Sequence, residues 1–390
     1  MAKKITADRF ETWTIDGDDK TWIVEKQATI AVEGANAIDI LATSTGNVLD
    51  IRGDLSADGA FNRAINVQGA DNTIKIGRSA HLEAHSGIYG SADGLSVVNR
   101  GEIDADSVGI SANGTAMIRN HGSIDGLIGI ETHGGARIVN GEYGIIDGKY
   151  GVYASGNGES VFINRGKVLG DTYAVNLSVS DGAKLVNTGT IKGDIALGSG
   201  NDVLQSWRGK IDGAVYGGDG NDTYRIGKND IDISESADSG YDRVYAKITQ
   251  YLGENVEALY LKGKKDIDGH GNDDGNTISG NKGDNVLTGQ HGNDTLHGGR
   301  GNDFLIGGSD QDTFRFNRGD DRDVIDDFVS GQDLIWMTGF KGVDEFADLA
   351  PHMSQHGNDT WLQMGKGDRL IIENVDMNDL DASDFSFALV

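Results

Sequence analysis

The apolar residues of this chain fall in short alternating runs, and the spacing between those runs changes once along its length. From about Asn47 to Gly213, a run with every second residue aliphatic leads into Asn-x-Gly and then a second short run, as in VVNRGEIDA (97–105), MIRNHGSIDG (117–126), FINRGKVLG (162–170) and LVNTGTIKG (185–193). VLDIRGDLSA (48–57) and QSWRGKIDG (205–213) are looser copies. A period of two is the signature of a strand with one buried face. The corner glycines Gly53, Gly77, Gly101, Gly122, Gly144, Gly166, Gly189 and Gly209 stand 20 to 24 residues apart. A third apolar run lies between them, in SGIYG (86–90), VGIS (108–111), IGIE (128–131), YGVY (150–153) and YAVN (173–176). Three short strands per repeat predict a parallel β-helix, with Ile103, Ile124, Val168 and Ile191 inside and one above another. Asn99, Asn120, Asn164 and Asn187 recur at one corner, where stacked amides are expected to hydrogen-bond along the helix axis. Residues 1–46, with runs at Thr21–Val24 and Thr29–Val32, are expected to cap the solenoid and form its first coil.

From Gly271 to Arg315 the period shortens to nine without a slip: GNDDGNTIS, GNKGDNVLT, GQHGNDTLH, GGRGNDFLI, GGSDQDTFR. The template is Gly-Gly-x-Gly-x-Asp-x-U-x, with U a large apolar residue. Ile278, Leu287, Leu296, Leu305 and Phe314 fill U and should point inward. Glycines at the first, second and fourth positions permit backbone that a Cβ forbids. That backbone turns carbonyl oxygens towards one point, to which the sixth-position Asp adds a carboxylate. A hard cation wanting ~6–8 oxygen ligands suits such a loop, calcium better than magnesium. Two nonapeptides make one coil, so an ion is expected between a loop and the same-side loop one coil on. The best ligands are Asp294, Asp303 and Asp312 with the carbonyls of Gly289, Gly292, Gly298, Gly301, Gly307 and Gly308; Asp284, Arg300 and Asp310 complete the set in this stretch. Further nonapeptides at LGSGNDVLQ (197–205) and GGDGNDTYR (217–225) add Asp202, Gly217, Asp219, Gly220 and Asp222. The first two repeats carry Asn276 and Asn285 at the Asp position and are expected to cap more than to bind. A looser segment (228–268) precedes the repeats, and TWLQM and RLIIENV follow them as a hairpin joined by Gly365-Lys-Gly-Asp368.

Composition narrows the picture. The 390 residues carry a net charge of −27, 59 Gly, one Pro and no Cys. Strong acidity argues against nucleic acid, whose binders need basic surface, and suits a chain in which bound cations cancel self-repulsion. Without Cys, metal is the remaining staple for work outside the cell. No apolar run approaches the ~18–20 residues that span a bilayer, and the N-terminus lacks the apolar stretch of a Sec-type signal.

The in-register nonapeptides, with GENVEALYLKG and DVIDDFVSGQDLI around them, resemble the RTX (repeats-in-toxin) proteins, and the last third is similar to the serralysin-type C-terminal region. The expected fold is all-β: a right-handed parallel β-helix (47–213) continuing into an RTX calcium-binding β-roll (214–320), with a C-terminal β cap (321–390). The resemblance implies calcium as the cofactor, folding on calcium outside the cell, and export by a type I secretion apparatus that reads the uncleaved C-terminus near Asp384 and Phe385–Val390. The zinc motif His-Glu-x-x-His and the Gly-x-Ser-x-Gly of secreted lipases are absent. The Tyr-Gly-Phe-Asp-Pro-His of mannuronan epimerases is excluded because the only proline is Pro351. The expectation is a secreted, non-enzymatic surface or matrix protein, an adhesin or exopolysaccharide binder. A β-helical polysaccharide lyase or epimerase is the alternative, with a bacteriocin or toxin behind it. His81 and His85 flank Glu83 with shared strand parity, His291 and His297 are expected to face solvent, and Tyr89, Tyr150, Tyr153 and Tyr173 form a ladder fit for sugar rings or for corner packing.

Overall fold

The computed structural model describes residues 2–179, 181–229, 231–237, 239–365 and 367–388. Asp238 of the looser segment, Lys366 of the hairpin turn and the terminal Leu389 and Val390 lie outside the described residues. The chain forms two compact units, Met1–Gly220 and Asn221–Val390.

The first unit is a parallel β-solenoid, as the alternation predicts. Its core is three stacks of apolar side chains, running from coil to coil. One runs Leu49, Ile74, Val97, Ile118, Ile138, Phe162, Leu185, Leu204. A second runs Ile65, Ile88, Ile110, Ile130, Val152, Val175, Ile195, Val215. The predicted inward set Ile103, Ile124, Val168 and Ile191 forms the third, joined by Ile146. All of these are buried. Each contributes about 1.5–3 kcal/mol by leaving water. Strands at Thr21–Val24 and Thr29–Glu33 form where expected. One detail differs: the second and third strands of each coil share a sheet, and in several coils run on as one bent strand, as in His81–Gly90 and Lys167–Val179. The register slips at the bend, between Ala84 and Ser86, so the corner that sequence reads as a break is absorbed by a bulge.

The asparagine ladder is present and longer than sequence indicates. Asn99 Nδ2 donates to Asn120 Oδ1 (2.9 Å), Asn120 to Asn140 (3.0 Å), Asn140 to Asn164 (2.9 Å) and Asn164 to Asn187 (2.9 Å); Asn187 ends on Ser206 Oγ at 3.2 Å. Asn140 was missing from the predicted row because its corner reads Asn-Gly-Glu-Tyr-Gly, two residues longer than its neighbours.

The second unit stacks two sheets of short strands. One runs Thr223–Ile226, Arg243–Ala246, Ala258–Leu261, Thr277–Ser279, Thr295–His297, Thr313–Asn317, Leu334–Thr338 and Phe385–Ala388, all parallel. The other runs Gln250–Tyr251, Gly269–His270, Val286–Gln290, Phe304–Gly308, Arg322–Ile325 and Asp368–Ile372. It closes with the expected antiparallel hairpin of Asp359–Gly365 and Asp368–Ile372. All five U residues are buried, Ile278, Leu296 and Phe314 against one sheet, Leu287 and Leu305 against the other. Buried Asp384 anchors the final strand by accepting the backbone N–H groups of Gly331 (2.7 Å) and Asp381 (2.8 Å).

Candidate calcium centre

Thr277 pairs with Thr295 and Thr295 with Thr313, while Val286 pairs with Phe304. Two nonapeptides therefore make one coil, and odd and even repeats stack as two separate rows of loops. Gln290, Gly299 and Gly308 at the second position have φ of +90°, +95° and +108°. Gly292, Gly301 and Asp310 at the fourth have +90°, +126° and +82°. The left-handed pair recurs in the first unit, at Gly198 and Gly200 and one coil later at Gly218 and Gly220. Where Gln290 and Asp310 replace glycine the fold imposes the same backbone, at a cost of order 1–3 kcal/mol each.

The side chains of Asp294, Asp303 and Asp312 each do two jobs. Its Oδ1 accepts the backbone N–H of the sixth-position residue one coil earlier: Asp294 from Asn276 (2.7 Å), Asp303 from Asn285 (2.7 Å) and Asp312 from Asp294 (2.9 Å). Its other oxygen turns back into its own loop, where a Cβ on Gly289, Gly298 or Gly307 would strike Oδ2 of Asp294, Asp303 or Asp312. The first-position glycines are thus absent side chains that make room for a carboxylate. In the first unit, buried Asp202 accepts the N–H of Ala183 in the same manner.

These loops fit a cation. Asp294, Asp303 and Asp312 are about 1% exposed, yet Oδ2 of Asp294 and Asp303 has no hydrogen-bond partner among the described residues. A buried, unpaired carboxylate is costly and either takes a proton or binds metal. Burial pushes the Asp294 carboxyl up to about 7 and that of Asp312 to about 6, with neighbouring carboxylates adding to the rise. Burial likewise raises Asp303 and, beside it, Asp323. Calcium held by these carboxylates and the glycine carbonyls would supply the missing positive charge.

Other predicted residues sit differently. Gly217 is buried and Gly220 half-buried, while Asp219 and Arg300 are exposed. Exposed Asp284 and Asp310 brace adjacent loops, accepting the N–H of Asn302 (2.8 Å) and Gly292 (3.2 Å). Asn276 and Asn285 keep the loop geometry with a neutral amide, each accepting an N–H within its own loop at 2.8 Å. His297 is not solvent-facing as expected: its Nε2 lies 3.1 Å from Asp320 Oδ2 and 2.6 Å from Asn317 Nδ2. His291 is exposed beside Asp273. His81 faces Glu102 at 3.8 Å, and His85 packs on Phe61 and lines a small cavity with Glu83. The tyrosines divide, Tyr150 stacking on Tyr173 while Tyr89 lies under the Arg63 guanidinium.

Sequence reasoning missed Asp242, Asp323 and Asp333. All three are buried, and their Oδ1 atoms accept the N–H of Asp222 (2.6 Å), Asp303 (3.1 Å) and Asp312 (2.9 Å). Each extends a row of sixth-position carboxylates by one coil. The available signal was Asp-x-aliphatic, in Asp242-Arg-Val, Asp323-Val-Ile and Asp333-Leu-Ile, without the preceding glycines.

Comparison with known proteins agrees with this geometry. The RTX calcium-binding nonapeptide repeat matches in four copies, over residues 214–227, 270–305 and 292–323. Endo-1,3-1,4-beta-glycanase EglC of Rhizobium meliloti (strain 1021) is 38% identical over 192 residues, which is 49% of this chain. The chain spans only 38% of that relative's length. The extracellular lipase LipA of Serratia marcescens aligns over 59% of this chain and 40% of its own, at 16% identity and a TM-score of 0.23. Among the described residues no helix is long and apolar enough to cross a membrane. The chain is a calcium-binding protein of β-helical fold that carries RTX nonapeptide repeats.

Proposed function

We propose that this protein is an extracellular, non-enzymatic binder of acidic polysaccharide, exported by a type I system and held folded by calcium at the cell surface or in the matrix. The supporting observation is one outward sheet face of the first unit. Two neighbouring rows of side chains cross its strands: Thr73, Ser96, Met117, Arg137, Val161, Lys184, Val203, and Lys75, Val98, Arg119, Val139, Ile163, Val186, Gln205. Over these seven strands neither row contains a carboxylate, in a chain of net charge −27; the first one met is Asp50, one coil before Lys75. Lys75, Arg119, Arg137 and Lys184 are exposed between half-buried aliphatics. A shallow groove of about 540 Å³ crosses the same face, lined by Leu95, Met117, Arg137 and Val161 among others, with Glu159 as its one carboxylate. Over seven strands at ~4.8 Å spacing the face is ~29 Å long, which suits an extended chain. The other sheet stacks Glu83, Asp104, Asp125 and Asp147 in register, and burial together with the flanking carboxylates raises Asp125. An anionic polymer is repelled there and attracted to the basic face.

Retention of the full chain on immobilised polyuronate in calcium tests the reading. The wild type should be held and the R119E/R137E variant lost. Equal retention of both, or none of either, overturns it. A second reading, hydrolysis or eliminative cleavage of a glycan, is favoured by the likeness to the glycanase. Release of reducing or unsaturated ends from mixed-linkage β-glucan or polyuronate would establish it in place of simple binding.

A further inference from the structure

We propose that Asp222, Glu235 and Asp242 form a calcium site of a second kind, built from side-chain carboxylates instead of loop carbonyls. One carboxylate oxygen of each lies within 4.8 Å of the others, and all three residues are buried. With calcium–oxygen distances of about 2.3–2.6 Å, ligands on opposite sides of one ion stand about 5 Å apart. The three oxygens therefore fit a single coordination sphere. Asp242, 1% exposed, keeps Oδ2 without a hydrogen-bond partner among the described residues, while its Oδ1 accepts the Asp222 N–H. The fully buried Tyr224 closes the floor, its hydroxyl against Glu235 Oε1 and 3.3 Å from Asp222 Oδ2.

Oδ2 of Asp242 is a buried carboxylate oxygen without a hydrogen-bond partner among the described residues, and a divalent ion shared with Asp222 and Glu235 would supply the charge it calls for. Glu235 is what sets this site apart. It belongs to no nonapeptide and reaches the carboxylates from the segment after Ile233–Ser234. Calcium sites tighten with the number of charged ligands and with rigidity, so this site fills before the glycine loops.

The test is calcium titration of the full chain by calorimetry, with bound ions counted after dialysis. Glu235→Gln is expected to lose one ion, the first to bind, and to raise the calcium needed for the first step at least tenfold, with the later steps unchanged. An unchanged ion count and first step overturns the proposal. A wild type that binds no calcium overturns the nonapeptide sites as well, a separate result. Should the variant not fold, a crystal structure of the wild type grown in calcium decides: an ion touching all three carboxylates supports the site, and carboxylates in contact without an ion refute it.

Discussion

Oδ1 of Asp303 accepts the backbone N–H of Asn285 at 2.7 Å, across one coil, while Oδ2 of the same carboxylate has no partner among the described residues. One half of the side chain holds the solenoid together, and the other half is left buried without a hydrogen-bond partner among the described residues. The two halves can be separated by mutation. Asp303→Asn keeps an acceptor for Asn285 and removes the buried charge. It should leave the second unit folded in chelator, with one ion fewer. Asp303→Ala loses both and should cost about 1–3 kcal/mol even without calcium. Equal denaturation midpoints for the two variants in chelator would contradict this division.

Gly289 makes the same point from the opposite side. Its backbone is not left-handed, so the case for glycine is steric: a Cβ would meet Asp294 Oδ2 and the Gly307 carbonyl. Gly289→Ala is expected to destabilise the second unit by about 1–3 kcal/mol and to weaken calcium binding at Asp294. Calorimetry that finds neither change would mean the carboxylate can swing out of the loop.

Acidity should act oppositely on the empty and the loaded protein. The folded Asp294 and Asp312 carboxyls are raised from 3.8 to about 7 and about 6, whereas in the unfolded chain they return to ordinary values. The metal-free fold therefore binds the extra protons, is favoured at low pH, and loses that advantage as pH rises from about 4 through about 7. Calcium needs the ionised form, so its affinity climbs over the same window and its binding near pH 6 releases protons. Melting of metal-free protein at pH 5 and pH 8, and proton release measured in two buffers, check both signs.

Chelation should spare the asparagine ladder. Amide exchange is expected to accelerate across 271–315, where buried carboxylates lose their counter-charge, and to stay slow across 95–187, where neutral amides pair with one another. Uniform acceleration over both stretches would show that calcium supports more than its own loops. Within the ladder, Asn140→Ala removes bonds to Asn164, Gly144 and Lys167. It should lower stability by about 1–3 kcal/mol with the calcium titration unaltered.

The sequence by itself determined the solenoid, its inward stacks and the nine-residue loops, because each depends on a local period: two along a strand, nine along the roll. It also singled out Asp294, Asp303 and Asp312 as candidate ligands, since glycine spacing and carboxylate stand in one short motif. Only the tertiary structure decided what lies 13 to 23 residues away. It placed Asp242, Asp323 and Asp333 beneath loops whose glycines they lack, brought Glu235 to Asp222, and drew His297 to Asp320. The physical reason is that coil length varies along this chain. A neighbour across coils is fixed by which N–H groups find a carboxylate, and no local period records that.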